Sequence, residues 1–409
     1  MLFTIIFVCD IISNYKGICL LINNKVGIKS MPKKVLFVAT VVKAHINVFH
    51  KPYLKWFKEN GFETHVCACN DYENPDECII PDCDFYYNIP FSRSPFRLSN
   101  IKAYIQLKKI IDSNHFDIIH CHTPTAGVLT RIAAVNARKN GSRVLYTAHG
   151  FHFYKNAPFY MWAFYPIEKI LSDYADAVIT INHYDYELAL KKHFCRNGSV
   201  FIVHGTGVDT KKFMNCNYDR TEKRHEFGIP DNAFVVLSAA ELNKNKNYTA
   251  SITAFAKADI ENSYYVICGE GKLKNHYIQL AQTLGVSDRV IFAGYRSDMP
   301  EMYHMSDVFI FTSKREGLGN ACIEAMASGL PLVVSDSRGT EEYAVNGRNA
   351  FVCNADDSDG FAKALCTLSN DDALRSAMSA ECIRTAEKFD IENSVAEMAD
   401  IYKEKIEIH

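Results

Sequence analysis

Glu316 and Glu324 bracket a glycine-containing stretch, Glu316-Gly-Leu-Gly-Asn-Ala-Cys-Ile-Glu324. Upstream, Val308-Phe-Ile-Phe311 is an apolar, β-branched and aromatic run of the kind that fills a buried strand. Downstream, segment 320–328 is rich in Ala and Met at helical spacing and is closed by Gly329 and Pro331. A second apolar run, Leu332-Val-Val-Ser335, follows. Strand, glycine loop, helix and strand is how parallel α/β sheets aim helix N-terminal N–H groups at a phosphate. Carboxylates flanking that phosphate can accept hydrogen bonds from hydroxyls. A nucleotide-sugar fits that description.

Such a loop needs a scaffold, and the flanking sequence supplies one. From Met31 apolar runs alternate with helical patterns, the signature of parallel sheets with crossover helices. Strands are predicted at 35–39, 64–68, 85–89, 117–120, 144–147, 177–181 and 200–203, with helices at 51–60, 100–113, 126–140 and 184–193. Two glycines in His204-Gly-Thr-Gly-Val-Asp209 mark a linker. A second alternation places strands at 234–238, 264–268, 290–292, 308–311 and 332–335, with helices at 248–257, 273–284 and 320–328. Beyond Phe351 only helix is expected, at 357–368, 371–388 and 391–408. The chain thus divides into an extension (1–30), a first Rossmann-like domain (31–206), a second (207–385) and a C-terminal helix (386–409). A cleft between two such domains is the expected ligand site.

Composition narrows the function. With 45 basic against 47 acidic residues, the net charge of −2 gives no nucleic-acid footprint. The 14 cysteines are scattered, several in apolar runs, which suits buried thiols in a reducing cytosol better than a disulfide framework. The closest metal-like cluster is His120-Cys-His122, without a paired Cys-x-x-Cys spacing, so no metal site is expected. In residues 1–30, Asp10 and Lys16 interrupt the apolar runs before a membrane-spanning length is reached. This segment reads as an extension upstream of a natural start at Met31.

In order, the motifs resemble family-4 retaining glycosyltransferases of the GT-B fold, especially those of bacterial capsule and exopolysaccharide synthesis. The matching parts are His120-Cys-His-Thr-Pro124, Tyr146-Thr-Ala-His-Gly-Phe-His-Phe-Tyr154, Glu241-Leu-Asn-Lys-Asn-Lys-Asn247, Gly269-Glu-Gly271, the Glu316-to-Glu324 element and Ser335-Asp-Ser-Arg-Gly-Thr340. The resemblance implies two Rossmann-like domains facing across a cleft, with a helical C-terminal tail. It implies a sugar transferred with retention from a nucleotide-sugar, UDP-linked, to a lipid-linked saccharide. It further implies an enzyme at the inner face of the cytoplasmic membrane, peripherally associated, with no metal or other cofactor.

Residue by residue, the resemblance gives Glu324 the ribose hydroxyls and Glu316 the transferred sugar. Gly317, Leu318, Gly319 and Asn320 offer backbone N–H groups to the diphosphate. Lys246 supplies the cation for the leaving phosphate, where negative charge develops. Asn247 and Tyr295 complete the nucleotide-sugar site, and His149 positions the sugar near its reacting end. Glu241 stands where many relatives carry an arginine, leaving Lys244 or Arg296 as a second phosphate cation. The loop Thr40-Val-Val-Lys-Ala-His-Ile46 lacks the relatives' glycine pair, which makes Lys43 and His45 acceptor-side candidates. The aromatic stretch 151–165 is read chiefly as packing within the first domain, with a membrane-facing surface as the other reading. A GT-B-like nucleotide-sugar epimerase and a non-catalytic nucleotide-sugar-binding subunit are the rival functions.

Overall fold

The computed structural model describes residues 32–154, 157–215 and 218–407, so the extension 1–30 lies outside the described residues. Among the described residues, thirteen strands form two sheets, parallel throughout. The first holds β1 (Lys34–Val41), β2 (Glu63–Cys69), β3 (Phe85–Asn88), β4 (Ile118–His122), β5 (Arg143–Ala148), β6 (Ala177–Thr180) and β7 (Ser199–Ile202), in the order β3-β2-β1-β4-β5-β6-β7. The second holds β8 (Phe234–Ala239), β9 (Ser263–Cys268), β10 (Val290–Gly294), β11 (Val308–Phe311), β12 (Leu332–Ser335) and β13 (Ala350–Cys353), in the order β10-β9-β8-β11-β12-β13. Central strands such as β4, β11 and β12 are buried along their whole length. Helices cover both faces of such sheets, so their strands are continuously apolar rather than alternating. Each sheet reverses its strand order once, between β1 and β4 and between β8 and β11. Ligands of open parallel sheets bind beyond the strand ends at these switch points.

Every strand predicted from sequence is present. Three expectations need correction. β13 lies in the region expected to be all helix: Ala350-Phe-Val-Cys353 is too short to show a period, and only its register beside β12 defines it. The helix expected over 126–140 is two, Pro124–Ala133 and Val135–Lys139. The turn after β1 is a π-helix, Val42–His50, which runs directly into the helix Lys51–Glu59.

The C-terminal helix, Ile391–Glu407, returns to the first sheet. Tyr402 is fully buried there, its ring 4.5 Å from that of Phe57 and its hydroxyl 2.8 Å from Nδ1 of His120. Lys405 Nζ donates to Ser199 Oγ at 2.9 Å. The chain therefore crosses between the two sheets twice, and the crossings lie side by side: Val208 N donates to Phe389 O, and Ile391 N donates to Val208 O. Beside them His204 and Glu397 form an ion pair with Nδ1 2.6 Å from Oε1, which raises the imidazole pKa.

The aromatic stretch 151–165 splits. Phe151 and Phe153 stack in the first core, with Trp162 and Tyr165 packed against them. Phe159, 93% exposed, and Tyr160 lie outside it. No helix among the described residues is long and apolar enough to cross a membrane.

Candidate active site

The second switch point gathers the donor-side candidates. Two loops leave it, 240–247 after β8 and 312–319 after β11, and polar contacts tie them together. Lys314 N donates to Asn245 O, Asn245 Nδ2 to Arg315 O, and Thr312 Oγ1 to the carbonyls of Lys246 and Asn247. Asn247 holds a left-handed conformation (φ +55°) that its side chain stabilises by donating to Ala355 O at 2.7 Å. Fixed in this way, Lys246 Nζ reaches Glu316 Oε1 at 2.7 Å and lies over the Phe311 ring. The candidate leaving-group cation and the candidate sugar-orienting carboxylate are therefore ion-paired.

Gly319 caps the helix Asn320–Ala327 with φ +92°, a conformation that favours glycine. Its position turns the first helical N–H groups toward the loop. One turn on, Glu324 accepts a 2.8 Å hydrogen bond from the buried Tyr303 hydroxyl. Burial raises the Glu324 pKa to about 6, against which the Tyr303 hydrogen bond works. Near neutrality Glu324 is thus mainly ionised, with one oxygen already engaged by protein. Tyr295 follows β10 at the carboxyl edge of this sheet and is 82% exposed.

Across from this loop stands His149, directly after β5. The approach is close: a Cβ on Gly317 would sit 2.2 Å from the His149 carbonyl oxygen, so only glycine fits. A buried clamp holds the two sides together. Arg338 donates through Nη1 to Asp185 Oδ1 (2.7 Å), through Nη2 to Phe151 O (2.5 Å) and through Nε to Glu316 O (3.3 Å). Asp185 also accepts from Phe151 N, and Asn182 Nδ2 bridges Asp185 to Gly317 O. Burial raises the Asp185 pKa, and the Arg338 guanidinium opposes that rise.

His149 belongs to a group of histidines with His45, His50 and His122. Burial lowers the pKa of all four, that of His149 to about 4, so the rings are neutral. His120 is a satisfied core residue, bonded to Thr147 Oγ1 and the Tyr402 hydroxyl. Of the acceptor-side candidates, His45 is buried in this group. Lys43 is exposed, and its backbone N–H is held by Asp71.

Segment 34–182 matches the family model for glycosyl transferase 4-like domains, and segment 219–388 that for glycosyl transferases group 1. Over 376 residues the chain is 42% identical to EpsD of Bacillus subtilis (strain 168), covering 91% of this chain and 97% of that relative. The chain belongs to this glycosyltransferase family. The transferase is also 30% identical to the UDP-Gal:alpha-D-GlcNAc-diphosphoundecaprenol alpha-1,3-galactosyltransferase of Escherichia coli, over 75% of this chain and 80% of that one. Its fold is GT-B. The crystal structure of Anabaena HepE in complex with UDP superposes with a TM-score of 0.75 at 20% identity, covering 91% of this chain and all of that one.

From the sequence, Lys244 and Arg296 are the candidates for a second phosphate cation in the transferase. Arg296 is committed elsewhere, paired with Asp298 and Glu226. Lys244 is exposed. Arg315, not considered from sequence, adjoins Glu316; burial lowers the pKa of His152, and the Arg315 charge adds to that lowering. Asn182 and Asp185 were also missed. They lie in an ordinary amphipathic helix start, and nothing in the sequence pairs them with Arg338.

Proposed function

We propose that this glycosyltransferase moves a sugar from a UDP-linked donor to a hydroxyl of a lipid-linked saccharide, with retention of configuration. It would do so at the cytosolic face of the membrane, in cell-surface polysaccharide synthesis. The observation that carries the donor half is the Lys246–Glu316 pair set at the N-terminal end of the Glu324 helix, facing His149. Glu324 holds the ribose through its free oxygen. The helix N-terminus and Lys246 receive the diphosphate, which makes a metal unnecessary for its charge. As donor binds, Lys246 turns from Glu316 to phosphate, and Glu316 is released to orient sugar hydroxyls. The bond between the anomeric carbon and the phosphate oxygen then breaks. The acceptor oxygen bonds to that carbon on the same face, and its proton passes to the departing phosphate. His149, neutral through burial, donates its ring N–H to a sugar hydroxyl without acting as nucleophile.

The E. coli relative is named for a UDP-sugar donor and a diphosphoundecaprenol acceptor, which supports the donor and acceptor classes. Incubation with a panel of UDP-sugars, with and without a lipid-linked acceptor, tests the reading. Acceptor-dependent UDP release is expected, and conversion of the donor sugar without acceptor would establish the epimerase instead. UDP binding should weaken from pH 7 to pH 5 as Glu324 takes up its proton with a pKa of about 6. Glu324→Gln should bind more weakly at pH 7 and lose this part of the pH dependence. His149→Ala should mainly lower turnover. Wild-type UDP affinity in the Glu324 variant, measured calorimetrically, would remove it from the site.

A further inference from the structure

The first sheet has its own switch point, between β1 and β4, and four histidines converge there. His45 and His50 stand on the π-helical turn after β1, His122 ends β4, and His149 follows β5. One ring nitrogen from each lies within 4.8 Å of those of the other three. His45, His50 and His122 are buried, and His149 closes the group as a partly buried neighbour. Both nitrogens of His50 and of His122 lack a hydrogen-bond partner, as does Nε2 of His45 and of His149. Buried polar atoms are nearly always paired, so orphaned nitrogens gathered in one place call for a ligand. The adjacent His120, with both nitrogens bonded, shows what a structural histidine in this core looks like.

We infer that His45, His50, His122 and His149 bind a zinc-class divalent cation. The backbone is arranged for convergence. In an α-helix, at 3.6 residues per turn, residues five apart point about 140° away from each other. The wider winding of the π-helix brings His45 and His50 to one side, their rings 4.9 Å apart. At the end of β4, Thr123 holds φ +63°, an uncommon conformation for this residue type, with its hydroxyl 2.6 Å from that of Thr40. An all-imidazole ligand set selects zinc, nickel or copper over magnesium or calcium, which require oxygen ligands. Tetrahedral zinc with Zn–N bonds of about 2.0–2.1 Å sets its nitrogens about 3.4 Å apart. The widest separation of 4.8 Å therefore closes by small side-chain rotations shared among the four rings.

Metal content tests this independently of sugar transfer. The untagged full chain, stripped with chelator, is titrated with Co²⁺ and then with Zn²⁺. The expected result is one equivalent of cobalt per chain, with the visible d–d bands of a nitrogen-ligated ion, displaced stoichiometrically by zinc. His50→Gln and His122→Gln should each weaken zinc by at least the roughly 10–100-fold that loss of an outer-shell partner costs. His50→Cys, which keeps a ligand, should retain the metal and add a sulfur-to-cobalt charge-transfer band. That variant also separates ligand loss from misfolding. A wild-type chain that takes up only trace cobalt, or uptake unchanged in the His50→Gln/His122→Gln double variant, overturns the inference. UDP binding measured on the same samples reports separately on the donor site in the second domain.

Discussion

Lys246→Met is expected to lower kcat at saturating donor by on the order of 10²–10³-fold, the loss typical of one prepositioned group at a site of developing charge. The geometry argues for the upper end. Removing the ammonium takes away the cation proposed to meet the leaving phosphate and also leaves Glu316, 2.7 Å away, without its partner. A carboxylate so freed beside a diphosphate repels it. Two further variants separate these effects. Glu316→Gln alone should lower kcat by weakening the hold on the sugar. The Lys246→Met/Glu316→Gln double variant should lose less than the product of the two single losses, because the repulsion is gone. Strictly multiplicative losses in steady-state kinetics would mean that the two residues act apart, contrary to the ion pair.

How far the sequence reveals this site depends on the range over which each signal acts. β8 through β12 and the Glu316–Glu324 element are legible because strand, glycine loop and helix are contiguous, and each leaves a pattern within about ten residues. β13 escapes because four apolar residues fit strand or helix equally well, and its register beside β12 decides. The π-helical turn escapes for a different reason. Val42–His50 carries no glycine or proline, and its winding depends on the packing of His45, Ile46 and His50 into the first core. The histidine group is the strongest case. The sequence shows His120 and His122 as a pair, and folding leaves their rings 4.0 Å apart but gives them different partners: His120 turns its nitrogens to Thr147 and Tyr402, and His122 joins His45, His50 and His149. Alternation along a strand places neighbours i and i+1 on opposite faces, but His120 and His122 share a face. What divides them is the C-terminal helix, which arrives from the far end of the chain to claim His120.

Arg338→Met should bring the largest loss of stability, about 3–5 kcal/mol, the cost of breaking a buried ion pair from one side. Asp185 is wholly buried and Arg338 nearly so, and the pair joins the two domains beside the donor loop. Without the guanidinium, Asp185 keeps only Asn182 and Phe151 N as donors among the contacts described above, and burial already raises its pKa. A carboxyl group whose pKa is raised by folding destabilises the folded state above its unfolded pKa, and the penalty grows with pH until the folded pKa is passed. The drop in thermal midpoint should therefore be larger at pH 8 than at pH 5, where protonation relieves the stranded charge. Asp185→Asn in the same chain should recover most of the loss, since an amide carbonyl still accepts from Asn182 and Phe151. Sugar transfer, in contrast, should remain depressed in that double variant. Arg338 also holds the carbonyls of Phe151 and Glu316, one on each side of the contact between His149 and Gly317. Neutralising Asp185 restores the charge balance but not that grip. Equal melting losses in the single and double variants, or transfer recovering together with stability, would show that the clamp serves the fold alone.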